Sequence, residues 1–496
     1  MAGLSKSRII IWKQCPKRLW LAINRPELAN WDDAQNGRMA AGNTVGEVAR
    51  SLWPDGVLIE GDDLRAALAD TRVAMASGKP IFEATFQHGG TLVRVDLLIP
   101  AKIGYRMAEV KSATSVKPYY LADAAIQAWV SREAGVVVSS IEIAHIDNSF
   151  VYPGGGDYRG LFKHVDVTTN IAPLELQVPE WIAGARATLA GDQPDCAPGE
   201  QCNDPFECPF LAHCCPPDAN PPEYPVEILP YGHGLPAILR AEGYTDLRDV
   251  PRDRFDNVRH IRVWEVTQSG QPELLQAAGD ALRALPFPRY YLDFETYQFV
   301  IPQWVGTRPY AQQTFQWSCH IEDADRSLSH AYFLADGSGD PRREFAEQML
   351  KTLGDSGPVI VYSAAFERSR MLELARDFPD LAPALKAVVA RIFDLLPLAR
   401  TNYYHPEMRG SWSIKAVLPT IAPDLAYGNL AVADGGMAQD AFGEIMNPET
   451  SADRRRELRD ALLQYCERDT LAMVKIAHHF EGIGNGAGRE PQVGFM

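Results

Sequence analysis

The stretch "YYLDFETY", residues 290–297, places two carboxylates, Asp293 and Glu295, inside a run of aromatic and apolar residues. Such a run predicts a buried strand, and successive side chains of a strand point to opposite faces. We therefore expect Asp293 and Glu295 on one face and Phe294 on the other. Because an ionised carboxylate is costly to bury without a partner, the pair indicates a metal site.

Two later segments supply residues of the same kind. "YSAAFERSRMLELA" places Glu367 at the start of a helix that follows a strand, and "LLQYCERDTLAMVKIA" places Tyr465 and Asp469 four residues apart, on one helix face. Four acids can hold two Mg²⁺ or Mn²⁺ ions about 3.5–4 Å apart, which activate water and stabilise a leaving oxygen. Tyr465 would orient that water. The alternative is a chance D-x-E on a strand together with an unrelated surface helix.

This order of motifs resembles the DEDD exonucleases of the ribonuclease H-like fold, in their tyrosine subtype. D-x-E is the first motif of that family and Y-x-x-x-D the last. "RIFDLLPLAR" resembles the stretch between them, which implies that Asp394 is structural and not a ligand. The chain departs from the family at Glu367, where these exonucleases usually have Asp.

A second acidic pattern lies about two hundred residues earlier, in "VDLLIP" and "AEVKSAT". Asp96 is expected to end one strand, and the period of two places Glu109 and Lys111 on the same face of the next. The two carboxylates can bind Mg²⁺ or Mn²⁺, and the lysine can orient water and offset phosphate charge. The alternative is an exposed strand face with a Glu–Lys pair, which contributes little.

The order of elements around this pattern is a helix, strands with D…E-x-K, and a helix carrying Gln127. It resembles the PD-(D/E)xK nucleases of the RecB family, which implies that Gln127 joins the three residues above in a catalytic set. Many members of that family carry a metal-binding His where this chain has Gly46 with Glu47 beside it. Many also have Tyr where this chain has Ser131.

The cysteines are unevenly distributed. Of eight, five fall within twenty residues, namely Cys196, Cys202, Cys208, Cys214 and Cys215. A cytosolic chain with such a group more often binds metal than forms disulfides. Cys15 in "QCPKRLW", followed by the C-x5-C-x5-C spacing of Cys202, Cys208 and Cys214, resembles the iron–sulfur members of the RecB family. That resemblance implies a four-iron four-sulfur cluster. Zinc is the alternative, and Cys196 and Cys215 are alternative ligands.

Composition and length indicate a multidomain globular chain. It has 496 residues, of which 46% are hydrophobic and 23% charged. We predict an α/β protein with a PD-(D/E)xK domain at 1–217, a linker and helical bridge at 218–285, and a ribonuclease H-like exonuclease domain at 286–496. The linker is predicted from the Pro- and Gly-rich stretch "PPDANPPEYPVEILPYGHGLP".

The net charge of −16, from 64 acids and 48 bases, argues against a non-specific nucleic-acid coat protein. The negative charge is compatible with an enzyme whose carboxylates are metal ligands. We find neither a signal peptide nor an apolar run near the ~20 residues that cross a bilayer, so the expected compartment is the cytoplasm, with no membrane partner.

The stretches "DFET", "GTRPYAQQTFQWSCH" and "GSWSIKAVLP" resemble those of a bacterial family that joins a RecB-like iron–sulfur nuclease to a C-terminal DEDD exonuclease. The resemblance implies a metal-dependent nuclease that acts on nucleic acid, with DNA bearing single-stranded ends as the expected substrate. Three alternatives stay open. They are a nucleic-acid-binding scaffold with one or both sites inactive, an RNA exonuclease, and a zinc-bound interaction module.

Overall fold

The computed structural model describes residues 4–31, 33–61, 63–216 and 220–483, with the backbone alone for 33–41. The chain forms two compact units, one of residues 1–219 with 299–310 and one of residues 220–298 with 311–496. Each unit combines a sheet with helices, so the predicted α/β class is confirmed. None of the described helices has both the length and the apolar character needed to traverse a bilayer.

The first unit is built on one mixed sheet. Its described strands are β1 (Leu4–Ser5), β2 (Val57–Leu58), β3 (Ile81–His88), β4 (Thr91–Pro100), β5 (Tyr105–Lys111), β6 (Val138–Ile146) and β7 (Phe162–Asp166). The sheet order is β2-β3-β4-β5-β6-β7, with β1 paired to β4. The β3, β4 and β5 strands are antiparallel neighbours, whereas β5 and β6 run parallel. A parallel pair needs a crossover connection, and here a helix supplies it.

The helices of the first unit are α1 (Lys6–Gln14), α2 (Pro16–Asn24), α3 (Asp33–Ser51), α4 (Leu64–Met75), α5 (Pro118–Glu133), α6 (Thr168–Glu175), α7 (Val178–Ala190) and α8 (Leu211–Cys214). The crossover between β5 and β6 is α5. Its buried face carries Ala124, Ala125 and Ala128, and these small side chains let the helix lie close to the sheet. The polar residues of α5 are thereby held over β5.

The second unit contains the described strands β8 (Glu273–Leu274), β9 (Arg289–Gln298), β10 (Gln312–Glu322), β11 (Leu328–Leu334), β12 (Val359–Val361), β13 (Ile392–Asp394) and β14 (Tyr403–Tyr404). Its main sheet has the order β11-β10-β9-β12-β13, and β8 pairs with β14. The central strand β9 is antiparallel to β10 and parallel to β12. The acids of "DFET" therefore lie in the middle of the sheet.

The helices of the second unit are α9 (Leu235–Ala241), α10 (Val258–Ser269), α11 (Gln276–Arg283), α12 (Arg342–Leu353), α13 (Ala365–Asp377), α14 (Ala382–Val389), α15 (Leu395–Asn402), α16 (Ile414–Val417), α17 (Gly435–Met446) and α18 (Ala452–Glu481). Phe294 of β9 packs edge-on against Phe345 of α12, with ring centroids 5.1 Å apart. Its neighbour Asp293 approaches Cys466 of α18. Because adjacent strand residues face opposite ways, α12 and α18 cover opposite faces of β9.

The division of the chain differs from the predicted ranges in two places. Val263 of α10 and Leu282 of α11 share a buried cluster with Tyr291 of β9, so the segment predicted as a bridge is part of the second unit. The connection between β9 and β10 contributes residues 299–310 to the first unit. In both places apolar side chains are buried against residues that are distant in the chain. The order of the sequence does not show which core they join.

Candidate active sites

The first site forms where β4 and β5 part. Their pairing runs as far as Leu97 opposite Ala108. Beyond that point the Asp96 carboxylate accepts a hydrogen bond from the Val110 N–H, at 2.7 Å. Asp96 therefore lies inside β4, and the expectation that it ends a strand is wrong. Its side chain takes a backbone partner at the place where the strands separate, which leaves room between them.

Two lysines hold the acids of this site together. Glu109 and Lys111 lie on the same face as predicted, with Lys111 Nζ 2.7 Å from Glu109 Oε1 and 2.7 Å from Asp123 Oδ2. Lys6 Nζ of α1 lies 2.8 Å from Glu109 Oε1. Gln127 of α5 donates to the other oxygen of Glu109. The predicted residues are thus brought together, and the exposed-face alternative is wrong because Glu109 is only 4% exposed.

Sequence reasoning missed Lys6 and Asp123. Asp123 lies one helical turn before Gln127, so the helix period predicts that both side chains lie on the same face of the helix. Lys6 is about a hundred residues from Glu109 in the chain, and no local pattern connects them.

The charges of the first site nearly balance. Burial raises the pKa of Asp96 to about 8, and the neighbouring Glu109 adds to that rise. Burial would also raise the pKa of Glu109, but Lys111 and Lys6 outweigh it and hold that pKa below the usual range. The site is therefore an ion-paired cluster with Glu109 ionised.

A cavity of about 260 Å³ opens beside Asp96 and Glu109, and Glu83 and Gly46 also line it. A Cβ at Gly46 would meet only the Arg50 guanidinium, at 3.5 Å, so the cavity has room for a side chain there. Glu47 is exposed and does not line the cavity. The half-buried Glu83, whose pKa is raised by burial, is the additional carboxylate of this cavity.

Five thiols line a second cavity of the first unit: Cys15, Cys196, Cys202, Cys208 and Cys214. Cys15 lies between α1 and α2, and burial raises the pKa of its thiol. Lys17 and Arg18 line the same cavity, whereas Cys215 is exposed and lies outside it. Convergent thiols with adjacent cations fit an anionic iron–sulfur cluster, and four thiols also suit zinc. Cys196 thus lines the cavity with the four predicted thiols and stays an alternative to them, whereas Cys215 lies outside it.

The site of the second unit gathers acids from three elements. Asp293 and Glu295 of β9 and Cys466 of α18 have ligand atoms within 4.8 Å of one another. Glu367 lies in the first turn of α13, as predicted, and is 2% exposed. Its Oε2 atom is buried without a hydrogen-bond partner among the described residues. A buried carboxylate oxygen without a donor fits a cation ligand.

The corner that carries Glu367 is braced by Asp394. Ser363, between β12 and α13, has a φ of +80°, a backbone conformation that non-glycine residues rarely adopt. The Asp394 carboxylate accepts hydrogen bonds from the N–H groups of Ser363 at 3.0 Å and of Ala364 at 2.8 Å. Asp394 thus fixes the start of α13, which agrees with the structural role that the sequence implied.

Tyr465 and Asp469 share one face of α18, and two further residues join them. Tyr427 donates a hydrogen bond to Asp469. Lys415 Nζ lies 5.4 Å from the ring centroids of both Tyr427 and Tyr465, and it donates to the Ala433 carbonyl at 2.7 Å. No sequence motif indicated Tyr427. Lys415 stands in the "GSWSIKAVLP" stretch, but the pattern did not reveal its contacts.

The four acids of this site are poorly compensated. Burial raises the pKa of Asp293 well above its usual range, and repulsion from Asp469 and Glu295 adds to the rise. Burial also raises the pKa of Glu295 and of Glu367 to about 8, and that of Asp469 to about 6. Lys415 opposes this rise at Glu295 and Asp469. Arg468 opposes it at Asp469 and Arg370 at Glu367. All four pKa values nevertheless stay raised, which leaves an electrostatic place for divalent cations.

A family model described as a domain of unknown function, DUF2779, matches residues 290–413. The matched range includes Asp293, Glu295 and Glu367 and ends before Lys415, Tyr465 and Asp469. None of the curated proteins matches the chain.

Proposed function

We propose that the protein is a metal-dependent nuclease that hydrolyses phosphodiester bonds in DNA with single-stranded ends, and that its second unit is a ribonuclease H-like DEDD exonuclease. One observation carries the proposal. Three buried carboxylates and the half-buried Asp293 come together in the second unit, and the pKa values of all four are raised. One oxygen of Glu367 is buried without a donor among the described residues. Such a set accepts Mg²⁺ or Mn²⁺ through oxygen.

In this proposal Asp293, Glu295, Glu367 and Asp469 hold the cations. Bound divalent cations supply the positive charge that activates water and offsets charge on the phosphate. Tyr465, whose ring lies at the site, orients the water. Tyr427 fixes one Asp469 oxygen through its hydrogen bond. Lys415 places a further positive charge next to Glu295 and Asp469, where it would attract the substrate phosphate.

The first unit would supply a second nuclease site, in a PD-(D/E)xK fold. Asp96 and Glu109 would hold a cation, with Glu83 as an additional ligand from the same cavity. Lys111 would orient water, and Gln127 fixes Glu109 through a hydrogen bond. The thiols of Cys15, Cys202, Cys208 and Cys214 would hold a four-iron four-sulfur cluster with a structural role.

The experiment is digestion of end-labelled single-stranded DNA in Mg²⁺ or Mn²⁺ by wild type and Asp293→Asn. Wild type should shorten the strand stepwise. Asp293→Asn should be slower by about a thousandfold or more, because loss of a ligand removes both charge and alignment. Asp460→Asn is the matched control, because Asp460 is an exposed acid on α18, outside the site.

Labelled RNA of the same sequence tests the alternative polymer. Faster digestion of RNA would reassign the substrate. Metal-independent binding of DNA without any cleavage would identify a scaffold instead of an enzyme.

A further inference from the structure

A separate cavity of about 510 Å³ lies in the second unit. Its walls include Tyr231, Tyr362, Ser363, Arg400 and Trp412, none of which is a candidate metal ligand. A volume of this size is typical of a small-molecule site.

Two segments connect this cavity to the acidic site. Ser363 lines the cavity and stands four residues before Glu367, at the corner that Asp394 braces. Ile414 lines the cavity and directly precedes Lys415. A ligand in the cavity would therefore lie beside the residues that carry the catalytic carboxylate and the lysine.

The cavity walls are fixed before any ligand binds. The Tyr362 hydroxyl donates to the Trp412 carbonyl at 2.7 Å, and the Trp412 indole donates to the Tyr403 carbonyl at 2.7 Å. Gly410 adopts a φ of +75°, and a Cβ there would lie 1.6 Å from the Ile228 carbonyl oxygen. Only glycine fits this turn. A preformed wall of this kind lowers the cost of ordering on binding.

The chemistry of the walls is aromatic and cationic. Arg400 is the only charged residue among the described residues that line the cavity. Its backbone is held in place, because Arg262 donates a hydrogen bond to the Arg400 carbonyl at 2.7 Å. Tyr231 is 55% exposed and has the guanidinium of Arg259 5.6 Å from its ring centroid. An anion with a flat ring system matches these groups, because guanidinium binds phosphate and aromatic rings stack on bases.

We propose that this cavity binds one nucleotide unit of the single strand whose scissile phosphate lies at the acidic site, with its phosphate at Arg400 and its base against Tyr231. The assignment rests on the proposed nuclease function, whose substrate it locates. In this proposal residues 230–231, which lie outside the range matched by DUF2779, are part of the substrate-binding surface.

The test is binding of deoxyadenosine monophosphate, measured by calorimetry in chelator so that no turnover occurs. Arg400→Gln should weaken binding about tenfold or more, since a charge-assisted hydrogen bond is lost. Tyr231→Ala should weaken it severalfold. Matched controls are Arg376→Gln and Tyr332→Ala, whose side chains are exposed elsewhere in the second unit, and both should bind as wild type does.

Three outcomes would overturn the assignment. They are no binding of the mononucleotide, equal binding by the two cavity variants and their controls, or equally strong binding of inorganic phosphate, which would mark a plain anion site. Failure of the nuclease proposal is separately visible, because Asp293→Asn should bind the mononucleotide normally while losing cleavage. With single-stranded DNA, Arg400→Gln should raise KM about tenfold and leave kcat nearly unchanged, whereas a structural defect would lower kcat.

Discussion

The two carboxylate clusters differ in how their charge is compensated. In the first unit Lys6 and Lys111 lie within 2.8 Å of Glu109, so that cluster is neutralised by its own chain. In the second unit Lys415, Arg468 and Arg370 only partly offset the rise, because the pKa values of the acids stay above their usual range. Glu367 also keeps a buried oxygen with no donor among the described residues. In the first arrangement two lysines pair directly with the ionised Glu109, whereas in the second the pKa values of all four acids stay raised. This difference favours the second unit as the place where the proposed divalent cations bind.

The largest expected effect is on the DNA cleavage that remains after the site of the second unit is disabled. In an Asp293→Asn background, Lys111→Ala should lower the remaining metal-dependent cleavage of DNA about a hundredfold, because it removes the lysine ammonium group proposed to orient water. The measurement is a cleavage rate on end-labelled DNA, with Lys79→Ala, an exposed lysine of the first unit, as the control. Unchanged residual cleavage would mean that the first site is a closed ion-pair network with no catalytic role.

The thiol cavity gives the second prediction. Freshly purified protein should be brown and absorb broadly near 400 nm, by analogy with other iron–sulfur proteins. Cys15→Ala should remove most of this absorbance, because Cys15 lines the cavity together with four other thiols. Cys215→Ala should retain it, because Cys215 is exposed outside the cavity. A colourless wild type with stoichiometric zinc would exclude the cluster.

The smallest effect, on stability, has opposite sign at Glu295 and at Glu109. The pKa of Glu295 is about 8 in the folded state and near 4.5 when unfolded. Between these values the folded state retains a proton that the unfolded state has lost, so stability falls as pH rises from 4.5 to 8. In metal-free protein at pH 8, Glu295→Gln should therefore raise the free energy of unfolding by about 1–3 kcal/mol.

For Glu109 the folded pKa is depressed, so its stabilisation is present above its unfolded pKa and is lost as pH falls through the folded one. Glu109→Gln should lower the free energy of unfolding by about 3 kcal/mol at pH 8, because two buried ammonium groups lose a partner. Hydrogen exchange in chelator measures each unit separately. The same sign for both variants would remove the contrast between the two clusters.

Local sequence patterns predicted the elements and most of the candidate ligands. The period of two placed Asp293 and Glu295 on one face, and helical spacing joined Tyr465 to Asp469. Residues brought in by tertiary packing had no such signal. Lys6 contacts Glu109 although 103 positions separate them in the chain. Tyr427, the first residue of a short 3-10 helix, contacts Asp469 across 42 positions. The sequence prediction ended the strand at Asp96, whereas β4 continues beyond it. The Asp96 carboxylate accepts a hydrogen bond from the Val110 N–H in place of a backbone bond between the strands, and the alternation of side chains does not reveal such a contact.

The most direct test of the central claim is anomalous diffraction from crystals soaked in Mn²⁺, with wild type and Asp293→Asn compared. Wild type should show two manganese peaks among the carboxylates of Asp293, Glu295, Glu367 and Asp469, and the variant should lack at least one of them. Crystals of protein that degrades DNA with Mn²⁺, yet shows no peak at these four residues, would contradict it.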